Sequence, residues 1–459
     1  MKEATMKFGT ESVGIRLPDQ TTVFSMGASE PLSDPGAAIE QALDHSIGSP
    51  GLDQLISDKL RDNPNLTAVV VISDNTRPVP YRGEQGILWP VVRRLLDHGL
   101  SADRILILVA TGTHRALSEA ELRTMLDPRL FEQGIPIKNH DCQNESGLTY
   151  LGETTRGSRV FINRDYVNAG LKILTGLVES HFMAGVSGGR KSICPGLIGE
   201  ESTYIFHSAR MLASPKACDL TLKENPCHEE ALEVAKKAGA DYIVNVTLDH
   251  RFQVTGVFAG DLEAAHERAV EKVREHVALP FDREYDIVVT HAGFVGINHY
   301  QTAKAGVASI PLLKPGGRLI MAAYNTDSDI VGSFRYRTVL SLFKIIGPER
   351  FERLILSPDW TFIPEQWQIQ MWGKLFTRIP MENMVYYSPQ FGPAEYQLIP
   401  GRDGNELLPE KIRYHGTLET IPLFVELTLE KAIAELHGQG VKEPSIAYLS
   451  DGPYGIPMR

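Results

Sequence analysis

Cysteine is scarce in this chain. The four thiols among 459 residues, Cys142, Cys194, Cys218 and Cys227, are scattered and form no C-x-x-C pair, which leaves a thiolate zinc site unsupported. Reduced, mostly buried thiols of a cytosolic protein are expected instead, with Cys194, three residues after Lys191, in a packing role. No apolar run is long enough to span a bilayer, and the opening MKEATMKFG lacks the charged-then-apolar pattern of an export signal. A cytoplasmic location with no membrane partner is therefore expected. Basic charge is also short: 46 Lys and Arg against 57 Asp and Glu give a net charge of -11. A nucleic-acid surface, which needs clustered cations, is argued against. A small anionic substrate remains open, because a few local cations set the field in a cleft. The chain also lacks a G-x-G-x-x-G at its first strand–helix turn, so a nicotinamide-dependent dehydrogenase is the weakest of the enzyme readings. There is no internal repeat and no low-complexity segment.

The hydrophobic share of 42% and the charged share of 22% are those of a soluble globular protein, and the length suggests two or three domains. Short runs rich in Val and Ile, at 67–72, 105–110 and 172–178, read as strands buried on both faces, as in a parallel sheet. Amphipathic segments at 89–98 and 118–126 alternate with them, which argues for α/β architecture. Ligands in open α/β sheets bind beyond the carboxyl ends of strands. Asp74, Arg77, His114 and His181 all follow such ends and are expected to converge on one crevice.

A helix is expected at 262–277, a linker at ALPFDREYD, a new strand at 286–290 and another within 315–324. The predicted fold is thus two α/β domains with largely parallel sheets and an active-site cleft between them. Residues 1–278 form the N-terminal domain and 279–443 a C-terminal domain that closes over the cleft. Residues 444–459 are a candidate for return to the first. The aromatic-rich region 332–393 reads as helices of the second domain with loops over the cleft.

The richest stretch is His181 to His207, HFMAGVSGGRKSICPGLIGEESTYIFH. Glycine lets backbone approach a ligand and accepts positive φ. Lysine in such a loop is a point charge or a nucleophile, and histidine a metal ligand or proton carrier. One reading is a phosphate-binding loop, G-x-x-x-x-G-K-[ST]. Gly185, Gly189, Lys191 and Ser192 come close, but the glycine spacing is one short and Arg190 intervenes. Another is a glycine-rich connection with an exposed lysine and two unrelated histidines.

The same stretch resembles the core of the nickel-pincer lactate racemase family. The resemblance extends in order through SDNTRP (Ser73–Pro78), ATGTHR (Ala110–Arg115) and HYQTAK (His299–Lys304). It implies that Lys191 carries a nickel-pincer nucleotide through a thioamide, with nickel held by sulfur, carbon and sulfur of the cofactor. His207 would be the protein's nickel ligand, and His114 and His181 the acid/base pair. Ser187, Gly188 and Arg190 would line the cofactor bed, with Asp74 and Arg77 also assigned to it. Tyr300, Gln301 and Lys304 would hold the substrate, with Arg77 a further partner for its carboxylate or a cofactor phosphate.

The chemistry explains the demand for such parts. The C2 hydrogen of a 2-hydroxy acid is very weakly acidic, so hydride removal to an electron-poor ring, with a base taking the hydroxyl proton, avoids a high barrier. Return of hydride to the other face of the planar 2-keto acid inverts the centre. Two bases of near-neutral pKa suit this, and histidine fits. The resemblance thus implies a racemase or epimerase of a small-molecule 2-hydroxy acid, served transiently by cofactor-maturation proteins. The alternative is a noncatalytic carrier of the nickel cofactor, which would need Lys191 and His207 but not both catalytic histidines. Tyr81-Arg82, and Trp360 and Trp367, are candidates for the substrate side-chain pocket. His45, His98, His140 and His437 read as surface residues, and His291 and His299 flank a loop of the second domain.

Overall fold

The apolar runs become strands enclosed on both faces. Ala68–Ser73, Ile105–Ala110 and Leu171–Leu177 are almost wholly buried along their length. The computed structural model describes all 459 residues, and the chain divides into two compact units. One is Ala28–His276; the other joins Met1–Gly27 to Val277–Arg459.

In the unit Ala28–His276, six strands lie in the order Val254–Gly260, Tyr242–Leu248, Leu171–Leu177, Ala68–Ser73, Ile105–Ala110, Ile137–Asn139. All neighbours are parallel except the first pair. From Ala68–Ser73 the chain steps outward through Ile105–Ala110, then returns to lay Leu171–Leu177 on the opposite side. The order of winding therefore reverses between Ala68–Ser73 and Leu171–Leu177, where open α/β sheets hold ligands. The core on one face joins Val70, Ile72, Ile107, Val109 and Ile173 to Leu88, Val92 and Leu95 of the helix Leu88–Asp97. That helix matches the expected amphipathic segment within one residue at each end. The helix Glu119–Met125 starts at an N-capping Ser118, and Glu121 completes the capping box.

The other unit carries a fully parallel six-stranded sheet in the order Arg402–Asp403, Met384–Tyr387, Leu313–Ala322, Tyr285–His291, Ile446–Leu449, Thr22–Phe24. Two expectations about the chain ends are corrected here. The first 27 residues do not join the domain that follows them, because Thr22–Phe24 pairs with Ala447–Leu449. Residues 444–459 stay in this unit, because Ile446–Leu449 also pairs with Tyr285–His291. The hairpin Lys2–Phe8 and Glu11–Leu17 alternates strictly enough to bury Val13, Ile15 and Leu17 with Phe424, Val425 and Leu429 of the helix Ile421–Gly438. The region 332–393 is largely helical, with Phe334–Ile346, Pro348–Ile355 and Gln366–Arg378. All four cysteines are free, Cys194 and Cys227 buried and the other two half-buried. No helix is long and apolar enough to cross a membrane.

Candidate active site

The loops after three parallel strands carry the site in the unit Ala28–His276. After Ala68–Ser73 the chain turns at once, and Asp74, only 4% exposed, accepts hydrogen bonds from the Thr76 amide at 3.1 Å and hydroxyl at 2.5 Å. Its other oxygen accepts from His114 Nδ1 at 2.6 Å. Burial opposes ionisation of this carboxyl, but the bonds from His114 and Thr76 outweigh it and hold the group below its ordinary value. The ionised carboxylate only accepts, so the His114 proton sits on Nδ1 and Nε2 presents a lone pair. The ring itself is 59% exposed.

The loop after Leu171–Leu177 is built to hold an irregular backbone. Ser187 donates to the Leu177 carbonyl at 2.8 Å and accepts from the Glu179 amide at 3.0 Å. Gly188 has φ +72, and a Cβ there would meet Val178 Cγ2 at 2.6 Å and Asn245 Oδ1 at 2.8 Å. Both geometry and space therefore demand glycine. Asn245 Oδ1 accepts the Gly189 amide at 2.8 Å. Arg190, 1% exposed, donates to the carbonyls of Ala184 and Val186, both at 2.9 Å, and lies 2.9 Å from His266 Nε2. Its guanidinium thus holds the loop together from beneath. Burial lowers its pKa to about 9, which leaves it cationic at neutral pH.

His181 and Lys191 meet within this loop, with Nε2 and Nζ 2.8 Å apart. His181 Nδ1 accepts from the amides of Met183 at 3.3 Å and Ala184 at 3.2 Å. A neutral imidazole accepting at Nδ1 carries its proton on Nε2. That proton is donated to Nζ, which must then be a neutral amine. Burial, reinforced by the charges of Arg77 and Arg190, pushes the Lys191 amine well below its usual value. Hydrogen-bond geometry and electrostatics therefore agree on an uncharged, nucleophilic lysine.

His207 ends the helix Glu200–Phe206. Its Nδ1 donates to the Thr203 carbonyl at 3.1 Å, which places the lone pair on Nε2, the form a metal requires. Burial holds its pKa down at about 3. No group of three or more His, Cys, Asp or Glu side chains stands where one ion could be held. A nickel ion on this chain would need most of its donors from elsewhere. A pincer group that brings three of its own, beside a single neutral imidazole and an acylable amine, fits these residues.

Arg77 Nε lies 3.3 Å from Glu179, a partner that sequence reasoning missed. Asn245 and His266 were missed as well; the available signal was a lone Asn within the apolar run YIVNV. Tyr81 is not a pocket residue: it is buried, and its hydroxyl accepts from the Ser73 amide and the Thr175 hydroxyl. Arg82 turns outward to the Thr124 carbonyl. His140 is corrected from surface to interior, 3% exposed, with Nε2 donating to the Ile198 carbonyl.

In the other unit Tyr300, Gln301 and Lys304 lie on the helix His299–Ser309, capped by Asn298. Gln301 and Lys304, three apart, share a face. The Tyr300 hydroxyl accepts from Trp367 Nε1 at 2.8 Å, which ties one of the expected pocket tryptophans to an expected substrate contact. Trp360 instead donates to Gln366. His291 and His299 are interior. His291 bridges the Ser450 carbonyl and the Gly293 amide, and His299 stacks on Trp372 at 4.8 Å and meets the Tyr336 hydroxyl.

Residues 8–219 match the lactate racemase N-terminal domain family. Over 352 residues the chain is 34% identical to a lactate racemase of Lactiplantibacillus plantarum, covering 76% of this chain and 78% of that relative. The chain belongs to the lactate racemase family. A second lactate racemase, from Thermoanaerobacterium thermosaccharolyticum, is 33% identical over 342 residues, covering 73% of this chain and 76% of the relative. The solved lactate racemase apoprotein from that organism superposes over the whole of both chains with a TM-score of 0.83 at 24% identity. A Thermotoga maritima protein gives 0.55 at 14% identity, covering 90% of this chain and 100% of its own. These two likenesses are of fold. As a lactate racemase family member the chain is an isomerase.

Within this family member, Arg190 offers a direct test of how the lysine loop is held. Arg190→Met leaves the Ala184 and Val186 carbonyls unpaired in the interior, at about 1–3 kcal/mol each. Relief of the buried charge offsets part of that. A net loss of about 2–4 kcal/mol is expected in urea unfolding; a change within about 0.5 kcal/mol would show that the guanidinium does not organise the loop.

Proposed function

We propose that this protein inverts C2 of a 2-hydroxy acid by reversible hydride transfer, using a nickel-pincer nucleotide attached at Lys191, with His207 as the protein's nickel ligand. The observation that carries the reading is the 2.8 Å contact of Lys191 Nζ with the proton-bearing nitrogen of His181. It makes the lysine ready for acylation and sets a second titratable group beside it. When bound, the cofactor supplies the electron-poor carbon that takes and returns a hydride, which the side chains of this chain cannot do.

The protein's own residues do the rest. His114, with its Nδ1 proton fixed by Asp74, takes the substrate hydroxyl proton at Nε2. Acylation of Lys191 removes the nitrogen lone pair that His181 engages, so attachment releases the imidazole to serve the substrate oxygen. Arg77 recognises an oxyanion, exchanging its Glu179 partner for it. Gln301 and Lys304 bind the substrate carboxylate, and Tyr300, braced by Trp367, completes their face. Ser187 and Gly188 shape the cofactor bed, and Arg190 supports it. The working location is the cytoplasm, with proteins that build and deliver the cofactor as transient partners.

The test is to produce the protein together with cofactor-building enzymes and measure its mass, its nickel content and the racemisation of a panel of 2-hydroxy acids in D2O. An adduct mapping to Lys191, stoichiometric nickel, and racemisation that keeps the original hydrogen at C2 are expected. Incorporation of deuterium at C2 would show proton rather than hydride transfer. A bare Lys191 under these conditions would overturn the reading.

A further inference from the structure

The His114 ring is held by one hydrogen bond, to Asp74, and is mostly exposed. Its position therefore depends on the two loops that carry the pair. A single carboxylate, Glu121, gathers donors from both. Arg115, the neighbour of His114, reaches it with two guanidinium nitrogens, Nη1 at 2.9 Å and Nη2 at 2.5 Å. Asn75, the neighbour of Asp74, reaches the same carboxylate at 3.4 Å. The Ser118 amide and hydroxyl, at 2.8 and 2.9 Å, complete the set. The Arg115 bond first, then the Ser118 amide and hydroxyl, lower the Glu121 pKa to about 2, so the carboxylate is ionised at every working pH.

The geometry points to Glu121 as a positioning residue for His114, tying the loop 111–118 to the turn 74–77 in parallel with the His114–Asp74 bond. This rests on the assignment of His114 as a proton carrier. A capping box alone would require Ser118 and Glu121 but neither Arg115 nor Asn75. A paired guanidinium and carboxylate holds distance and plane together, which a point charge does not. The function of the tie is to keep Nδ1 of an exposed ring on Asp74, and so to keep its tautomer, while substrate enters and leaves.

The experiment compares Arg115→Met, Glu121→Gln and Ser118→Ala in the cofactor-loaded enzyme, with His114→Ala as reference. The readouts are kcat, KM, the pH profile of kcat, and the low-field Nδ1–H proton resonance of His114 in 15N-histidine-labelled protein, assigned by its absence in His114→Ala. Arg115→Met and Glu121→Gln should broaden or abolish that resonance, change the pH profile and lower kcat roughly tenfold or more with KM little changed, as expected for a misplaced catalytic group. Arg115→Lys should restore part of the loss. Ser118→Ala should lower the melting temperature and leave the resonance and kcat in place. An Arg115→Met enzyme with parental resonance, pH profile and kcat, in a background where His114→Ala is inactive, overturns the tie. A His114→Ala enzyme that still turns over refutes the proton-carrier assignment instead, while the resonance continues to report on the tie.

Discussion

Replacing Lys191 with alanine is expected to reduce racemisation to background and to remove the covalent adduct and bound nickel together. The reason lies in the loop: Lys191 is half-buried and its amine has His181 as hydrogen-bond partner. The fold should survive. Removal of an amine that burial already holds neutral takes away little that stabilises the chain, so unfolding free energy should change by about 1 kcal/mol or less. The same protonation state can be read without the cofactor. At pH 7 a limiting amount of acetic anhydride should acetylate Lys191 ahead of exposed lysines such as Lys138 and Lys216, as mapped by peptide mass. The sign follows from the direction of the shift: a lowered amine pKa means a larger neutral fraction at a given pH. Lys191 labelled no faster than those two would mean that it is a charged lysine and that the His181 tautomer argued above is wrong.

His114→Ala and His181→Ala should each cost about 10²–10⁴ in kcat, the usual contribution of a positioned acid or base, while the adducted fraction keeps its nickel. The two variants should differ in one respect. His114 bonds Asp74, whereas the amine is bonded by His181, so His114→Ala should load normally. His181 donates to Nζ, so His181→Ala should also load more slowly, and its kcat must be taken per adduct rather than per chain. Intact mass, nickel content and turnover on the same preparation separate these effects. A His114→Ala enzyme within threefold of the parent would exclude it as the base; equal loading of both variants would exclude the priming contact.

Much of the site was legible because parallel strands announce their own carboxyl ends. The continuous apolar runs before Asp74, His114 and His181 read as doubly buried strands, and their loops all fall on one edge of the sheet. The glycines were legible for a related reason, since Gly188 occupies a backbone region that other residues avoid. Residues whose environment comes from distant segments were misjudged. His140 lies in a polar IKNHD stretch, yet Ile198 and Asn163 enclose it. Tyr81 follows the site motif but points its hydroxyl under the sheet to Thr175. Arg190, which the family resemblance places in the cofactor bed, donates to the carbonyls of Ala184 and Val186 within its own loop.

The sequence by itself determined the α/β class, the strand ends after which the candidate residues fall, and the family. Each depends on local pattern: apolar runs, glycine at positive φ, and ordered motifs. Only the tertiary structure decided where the chain ends go. A strand at 22–24 has no local property that selects a partner at 447–449; register across more than four hundred residues is set by which sheet edge remains open once the rest has folded. Only the tertiary structure, too, decided the protonation of Lys191, the tautomer of His114 and the pairing of Arg77 with Glu179. Those depend on burial and on partners brought together through space, which spacing along the chain does not encode.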